Sequence, residues 1–260
     1  MATTGNYLYG FTQACLQPQP GLRGLANAPV RLLGFRDVAA VVSNHPVQQL
    51  RPKRANLEPH HRIIRDICKR GPLVPAAFGH ISESEEDVLG VLRENYEDIR
   101  EEIDRLANTE EVTLKLRWNV ENIFEYFVRK HRDLRELRDR VFRNSRPSFD
   151  DKLKVGSLFE ARLASERERL TAVLLQSLRD IVIESTVNSP RDEKTVCDCA
   201  LLVESARAQE FGPALEPAAA IFDSELALQW SGPWPPYSFV RLQLRTANSP
   251  AMASGDHVLN

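Results

Sequence analysis

The sequence has few cysteines, glycines and histidines, and it contains no long apolar run. Among its 260 residues are four cysteines, twelve glycines and six histidines. The cysteines are too sparse and too unevenly spaced for a disulfide framework. No stretch approaches the roughly 18 apolar residues of a membrane-spanning helix, and the N-terminus lacks the charged start and apolar stretch of a signal peptide. These absences predict a reduced, cytoplasmic protein with no membrane partner.

Motifs that carry catalytic or metal chemistry are also missing. The sequence has no G-x-G-x-x-G, Walker loop, nucleophile elbow or H-E-x-x-H. His60, His61 and Cys68 share one predicted helix, but a zinc site needs three or four ligands and no further ligand pair lies at matching spacing. Cys197 and Cys199 lie on a predicted strand and read as small buried hydrophobes. The sequence therefore predicts a non-enzyme with no metal and no cofactor.

The composition is that of an ordinary soluble protein. Hydrophobic residues make up 42% and charged residues 27% of the chain, and 34 basic against 36 acidic residues leave a formal charge of −2. This balance gives no general attraction to nucleic acid or anionic lipid, so nucleic acid is an unfavoured partner. At about 150 residues per domain, the length indicates two domains.

Residues 1–109 predict an N-terminal mixed β/α domain. Aromatic-rich and alternating stretches predict strands at 7–15, 30–33, 38–43 and 73–78. One helix is predicted from a cap at Asn56 to about residue 70. A second helix has possible N-caps at both Ser82 and Ser84, with Glu85 forming a capping box with Ser82, and it continues as a single apolar stripe to Leu106.

Residues 110–245 predict a C-terminal ferredoxin-like domain, which makes the whole chain a two-domain α+β protein. Strands are expected at 111–118, 181–187, 195–203 and 225–230, and helices at 119–143, 149–179 and 204–222. The order β-α(α)-β-β-α-β is the ferredoxin-like βαββαβ arrangement with an enlarged helical first crossover. Residues 246–260 are polar and predicted to be a disordered tail.

A proline- and aromatic-rich segment follows the last predicted strand. Its three prolines fix φ and remove backbone donors, so we expect residues 232–239 outside the sheet. Its aromatic side chains sit on a stiffened backbone, which suits either of two roles: covering the sheet edge left by the preceding strand, or contacting a partner. The candidate contact residues in this segment are Trp234, Pro235, Pro236, Tyr237 and Phe239.

Charge is unevenly distributed between two predicted helices. Eight basic residues against three acidic ones lie between 129 and 146, whereas the helix over 83–104 is acidic. Solvated helix faces explain both runs, but electrostatic complementarity, between the domains or with a neighbour in an assembly, stays open. Arg132 and Arg135 are therefore added to the candidate partner contacts. Binding of RNA is disfavoured because the cluster is expected to lack interleaved exposed aromatics.

Several stretches together resemble the gas vesicle protein GvpF/GvpL family. They are YLYGF (7–11), LVPAAFG (73–79), VTLKLRWN (112–119), CALLVE (199–204) and SGPWPPYSFV (231–240), and their order and spacing make the likeness specific. The resemblance implies a cytoplasmic, vesicle-associated accessory or minor structural protein needed for gas vesicle formation. It further implies contacts with the main shell protein GvpA and other accessory vesicle proteins, a ferredoxin-like C-terminal part, and no catalytic residues.

Two other functions remain open at this point. Ferredoxin-like sheets also serve in ligand-sensing regulatory modules, and the arginine cluster leaves an RNA-binding protein as a further alternative. Under the vesicle interpretation, a small and strongly apolar shell protein would expose aggregating surface before assembly. A partner with apolar and aromatic edges would hold such a protein soluble or place it on the growing shell.

Overall fold

The computed structural model describes residues 3–143, 146–222 and 224–245, and it divides into two units. The first unit comprises the residues up to Thr109 together with those from Trp234 onward, and the second runs from Glu110 to Pro233. The predicted disordered tail, 246–260, lies outside the described residues. Helices and strands are mixed in both units, so the α+β class is confirmed.

The first unit is built on an antiparallel sheet. Its strands are β1 (Thr4–Gln13), β2 (Val30–Phe35), β3 (Val38–Pro46), β4 (Leu73–Pro75) and β5 (Ile81–Ser82). Their order in the sheet is β2-β3-β1-β4, and the short β5 pairs with Asn6 and Tyr7 of β1. The pairing register of β1 shifts between Leu8 and Gly10, where Gly10 has φ +157°. A Cβ at Gly10 would lie 2.4 Å from the carbonyl oxygen of Val74, so the close approach of β1 and β4 requires glycine here.

Three helices accompany this sheet, and their starts differ from the prediction. The first, α1 (Arg54–Cys68), begins before Asn56, which therefore lies inside the helix instead of capping it. Ser84, one of the two predicted caps, is confirmed as the cap of α2 (Glu85–Glu94), but its capping box is formed with Asp87 and not by Ser82 and Glu85. The sequence favours the wrong box because both serines are followed three residues later by an acid.

The long acidic helix predicted up to Leu106 is two helices. Asn95 separates α2 from α3 (Tyr96–Arg105), with non-helical φ −118° and ψ 21°. Its side-chain amide donates to the carbonyl of Val91 at 2.8 Å, so it competes with the backbone for a helical acceptor. The apolar stripe nevertheless continues across the break, because Val88, Leu92, Ile99, Ile103 and Leu106 are all buried.

The second unit contains a four-stranded sheet of β6 (Thr109–Trp118), β7 (Val182–Val187), β8 (Thr195–Glu204) and β9 (Leu226–Trp234). The order of these strands in the sheet is β7-β8-β6-β9, and β7 and β8 are antiparallel. Three helices lie between β6 and β7 in the sequence, and a 3-10 helix (Ser205–Glu210) with one α-helix lies between β8 and β9. The helices are α4 (Ile123–Lys130), α5 (Arg132–Phe142), α6 (Phe149–Ser177) and α7 (Phe211–Ile221).

The first crossover differs in its caps from the prediction. The residue that caps α4 is Asn122, whose Oδ1 accepts from the amide of Glu125 at 3.0 Å. Asn119, the predicted cap, instead donates a hydrogen bond from its backbone N–H to the carbonyl of Glu225 at 2.7 Å. His131 has extended backbone angles and stacks its ring on Phe127 at 5.2 Å, which divides the predicted helix into α4 and α5.

The core of the second unit lies between its sheet and its helices. The predicted alternation of β6 is confirmed, because Val112, Leu114, Leu116 and Trp118 are all at most 2% exposed. Cys197 and Cys199 of β8 are buried in the same core, as small apolar side chains would be. This core draws its residues from the second unit alone.

Candidate interaction surface

The proline-rich segment begins inside a strand. Strand β9 continues through Gly232 and Pro233 to Trp234, so the expectation that these residues lie outside the sheet is wrong. The reason is position, because β9 is an edge strand and one side of it has no ladder for Pro233 to interrupt. Trp234 remains 41% exposed at the end of this strand.

Beyond β9 the chain packs in the first unit. The sequence assigned residues 110–245 to the second domain, whereas in the structure the residues from Trp234 onward belong with the first. We call residues 234–245 the C-terminal strap. Pro235 and Pro236 are buried, and Phe239 is only 2% exposed. Tyr237 is half-buried and packs against the core of the first unit.

The side chain of Tyr237 is held by α1. Its hydroxyl lies 3.0 Å from Nδ1 of His61, and the two rings meet edge to face at 5.7 Å. Burial, followed by the positive charge of Arg65, lowers the pKa of His61 below its usual value. The neutral imidazole therefore predominates at pH 7, and one of its ring nitrogens can accept from a phenol.

Beneath this contact lies a buried aromatic cluster. The hydroxyl of Tyr7 hydrogen bonds to Nδ1 of His60 at 2.9 Å and accepts from the amide of Gly79 at 3.1 Å. His60 also meets the rings of Tyr9 and Phe78, at 5.9 and 5.6 Å. Burial lowers the pKa of His60 to about 4 and raises that of Tyr7 well above its usual value. Both groups are therefore neutral at physiological pH, and the cluster serves packing.

The strap backbone is held by an ion pair of α3. Arg105 and Glu102 are joined by two hydrogen bonds, at 2.8 and 2.9 Å. Arg105 also donates to the carbonyl of Phe239, and Glu102 accepts from the amide of Arg241 at 2.6 Å. Burial alone would raise the pKa of Glu102, but the bonds from Arg105 and Arg241 outweigh it and leave the pKa lowered.

A second link lies at the break between α2 and α3. Asn95, which is 1% exposed, accepts from the amide of Arg245 at 2.7 Å and donates to its carbonyl at 3.0 Å. The side-chain amide of Asn95 thus binds Arg245 with the same two hydrogen bonds that pair one residue with another between antiparallel strands. Because both bonds are to the backbone of Arg245, they do not depend on which side chain stands at position 245.

The sequence did not identify Asn95, Glu102 and Arg105 as contact residues. Glu102 lies next to the apolar stripe of α3, three residues after Ile99, and Arg105 follows it at the spacing of an ion pair. Such ion pairs are common on solvated helix faces. Only the position of Glu102 beside a buried apolar stripe could have indicated that this pair makes a structural contact. Asn95 was signalled more clearly, as an amide in the middle of a predicted helix.

The two predicted arginines lie in the second unit, on α5. Arg132 is largely exposed and pairs with Glu136 at 2.7 Å, and Arg135 is exposed as well. The expectation that this basic cluster lacks exposed aromatics is wrong, because Phe142 and Phe149 are exposed near its end. Both phenylalanines were placed on helices by the sequence, and only the structure shows which way they face.

Neither a metal centre nor a membrane span is found in the part of the chain that the structure describes. No three His, Cys, Asp or Glu side chains there are grouped as metal ligands. None of the described helices combines the length and apolarity needed to cross a membrane.

Comparisons with known proteins match nearly the whole chain to one protein family. The family described as Gas vesicle synthesis protein GvpL/GvpF matches residues 5–241. A gas vesicle protein F from a Streptomyces strain is 30% identical over 237 residues, covering 90% of this chain and 98% of that protein. Gas vesicle protein F from Dolichospermum flosaquae is 23% identical, covering 91% and 97%.

Two crystal structures share the fold. GvpF from Anabaena superposes with a TM-score of 0.82 at 23% identity, covering 92% of this chain and 99% of that one. GvpF from Microcystis aeruginosa gives 0.77 at 21% identity, with the same coverage.

Proposed function

Because the chain belongs to the GvpL/GvpF family of gas vesicle synthesis proteins, we propose that it is a non-enzymatic accessory or minor structural protein required for gas vesicle formation. The observation that carries the proposal is the extent of the match. It spans 5–241, and the Streptomyces relative is covered almost from end to end. The assigned role thus concerns the whole chain and not one shared domain.

The proposed partners are the shell protein GvpA and other accessory vesicle proteins. Support for a binding role comes from exposed apolar side chains, which a soluble monomer usually shows only in small patches. Trp234 on β9 is 41% exposed, and Phe142 and Phe149 are more so. Trp234, Arg132 and Arg135 stay as proposed contacts. The buried Pro235, Pro236 and Phe239 contribute by holding the strap.

We also propose that the second unit is a ferredoxin-like domain with an enlarged first crossover. The order β7-β8-β6-β9 supports this assignment, because it reads 2-3-1-4 in the chain order of the four strands. The three helices α4, α5 and α6 between β6 and β7 supply the enlargement. Nothing in this arrangement requires a cofactor, and the proposed location is cytoplasmic and vesicle-associated.

The proposal is tested by deleting the gene in its host and restoring it on a plasmid. We expect loss of vesicles in electron micrographs and their return with the wild-type gene. Pull-downs with each other vesicle protein, one at a time, should then identify GvpA among the captured proteins. Normal vesicles without the gene would overturn the required role, and failure to capture any vesicle protein would overturn the binding role.

A further inference from the structure

The helical hairpin of α5 and α6 ends in three exposed apolar side chains. Phe149, Leu153 and Phe142 are 78%, 57% and 54% exposed, which puts them among the most exposed large hydrophobics in the described chain. Together with Arg140, Arg143 and Arg146 they are called the hairpin tip below. Single exposed hydrophobics are ordinary, but three at one end of one hairpin indicate a binding site.

Two of the three side chains, Phe142 and Leu153, lie at one level of the hairpin. Arg162 of α6 donates from Nε to Asp133 of α5 at 3.0 Å, which fixes the two helices side by side. Phe142 comes nine residues after Asp133, and Leu153 nine residues before Arg162. In antiparallel helices rising about 1.5 Å per residue, these positions are level. Phe149 lies one turn beyond Leu153 on the same side of α6.

The tip is cationic as well as apolar. Six basic residues and three acidic ones lie between 138 and 154. Arg132, Arg138 and Arg162 elsewhere on the hairpin are engaged with carboxylates. By contrast, Arg140, Arg143 and Arg146 enter no ion pair within the described ranges. The charges at the tip are thus available to a partner, whereas Arg132, Arg138 and Arg162 are already paired within this chain.

We propose that the hairpin tip docks an acidic amphipathic helix of another protein. The phenylalanines and Leu153 would cover the apolar stripe of that helix, and the three arginines would pair with its carboxylates. A second copy of this chain does not fit, because the apolar residues of its acidic helices, such as Val88, Leu92 and Ile99, are buried in its own unit. The proposal does not depend on a role in gas vesicles.

Phosphate-bearing partners fit the tip less well. Asp150 and Asp151 directly follow Phe149 at the start of α6, and they add two negative charges beside the arginines of the tip. Like charges at such a contact oppose binding. A helix with spaced carboxylates avoids this clash, because it can set its acids against the arginines and its apolar stripe against Phe149.

The experiment is a fluorescence anisotropy titration with a labelled synthetic helix of leucine and glutamate, its leucines spaced as one stripe. We expect saturable binding that weakens with salt, as exposed charges are screened. Phe149→Ser with Leu153→Ser should weaken it at least about tenfold, the effect of losing a central contact. Arg140→Glu with Arg143→Glu should do the same. Circular dichroism should show unchanged folding, since all four side chains are exposed.

Matched controls are available on other surfaces. Ile183→Ser with Val187→Ser removes equally exposed apolar side chains from β7, and Arg51→Glu with Arg54→Glu reverses two exposed charges near α1. Both controls should bind the helix normally. Undiminished binding by the tip variants, or equal binding of a leucine–lysine helix, would overturn the proposal. So would tighter binding to anionic phosphatidylserine vesicles, to single-stranded RNA, or to a second copy of the chain.

Discussion

The hydroxyl of Tyr237 lies 3.0 Å from Nδ1 of His61, which precedes it by 176 residues. His61 belongs to α1, and Tyr237 follows the last strand of the second unit. The first unit is therefore completed by a segment that is synthesised after the entire second unit. The core of the first unit therefore cannot be completed until the second unit has been synthesised.

The first prediction concerns this hydrogen bond. Tyr237→Phe removes only the hydroxyl and should cost about 1 kcal/mol, the usual net value of one hydrogen bond. In a protein of this size that lowers the melting temperature by about 2–4 °C. Scanning calorimetry measures the change.

A double-mutant cycle shows whether the loss belongs to the pair. If Tyr237 and His61 act together, Tyr237→Phe combined with His61→Ala should destabilise less than the sum of the two single changes. Strict additivity of the three measurements would show that the hydroxyl stabilises the protein through some other group.

The second prediction concerns the folding units. The core of the second unit draws on residues 112–228 alone, so a fragment of 110–233 should be soluble and unfold cooperatively. A chain that stops at residue 233 should keep this transition but lose stability in the first unit. Loss of the buried Phe239 alone accounts for at least about 3 kcal/mol. The assignment would be contradicted if the 110–233 fragment were unfolded. It would also be contradicted if the first unit unfolded at the same temperature in the chain that stops at residue 233 as in the full chain.

Much of the fold follows from local patterns in the sequence. The alternation of β6, the end of α5 near Phe142 and the long α6 are local signals, and the sequence predicted each of them. Errors concentrate where two neighbouring residues offer the same signal, as Ser82 and Ser84 do for a cap. Asn95 and His131 divide predicted helices because the hydrogen bonds of the Asn95 amide and the stacking of His131 on Phe127 outweigh helix propensity.

The third prediction concerns the link between α3 and the strap. The pKa of Glu102 is lowered in the folded protein, so its contribution to stability is present above its ordinary pKa and lost as the pH falls through the lowered value. Glu102→Gln should destabilise the protein by about 2 kcal/mol at pH 7, as loss of charge-assisted hydrogen bonds does. The difference from wild type should shrink below about pH 4.5, near the ordinary pKa of glutamate.

Urea titrations at pH 7, 5 and 4 measure that difference. Glu101→Gln, an exposed neighbour on the same helix, is the matched control and should leave stability unchanged at each pH. If the difference in the free energy of unfolding between Glu102→Gln and wild type is the same at all three pH values, the ionised carboxylate of Glu102 is not its source.

The fourth prediction concerns buried His60. Burial lowers its pKa from 6.5 to about 4, so between these values the unfolded chain binds the proton that the folded chain excludes. Stability should therefore be full above pH 6.5 and fall by about 3 kcal/mol as the pH drops to 4. His60→Asn, which keeps a polar atom near the Tyr7 hydroxyl, should be less stable at pH 7 but show a shallower decline. An equal decline in both proteins would assign it to other groups, and His61→Asn measures the share of the neighbouring imidazole.

The candidate contact residues were harder to predict than the fold. The segment of 232–239 was recognised as special from its prolines and aromatics, but sequence reasoning assumed that it stays near the strand it follows. Which surface a stiff aromatic segment covers depends on long-range packing, here against α1 and α3. Pro235, Pro236 and Phe239 are consequently buried, and Trp234 alone of the predicted aromatics is exposed.

The last prediction separates partner contact from folding within that segment. Phe239→Ala should lower the free energy of unfolding by about 3–5 kcal/mol, because Phe239 is 2% exposed. Trp234→Ala should change it by less than about 1 kcal/mol, because much of the indole is in solvent. If Trp234 contacts the shell protein, the same substitution should weaken its capture by roughly 2 kcal/mol, as rigid aromatic anchors do at interfaces. Trp230→Ala, equally exposed on the same strand, is the control for a general loss of apolar surface. Melting curves and quantitative pull-downs of these variants give the answer, since a Trp234→Ala protein that captures the shell protein at full strength would leave the strap with a role in folding alone.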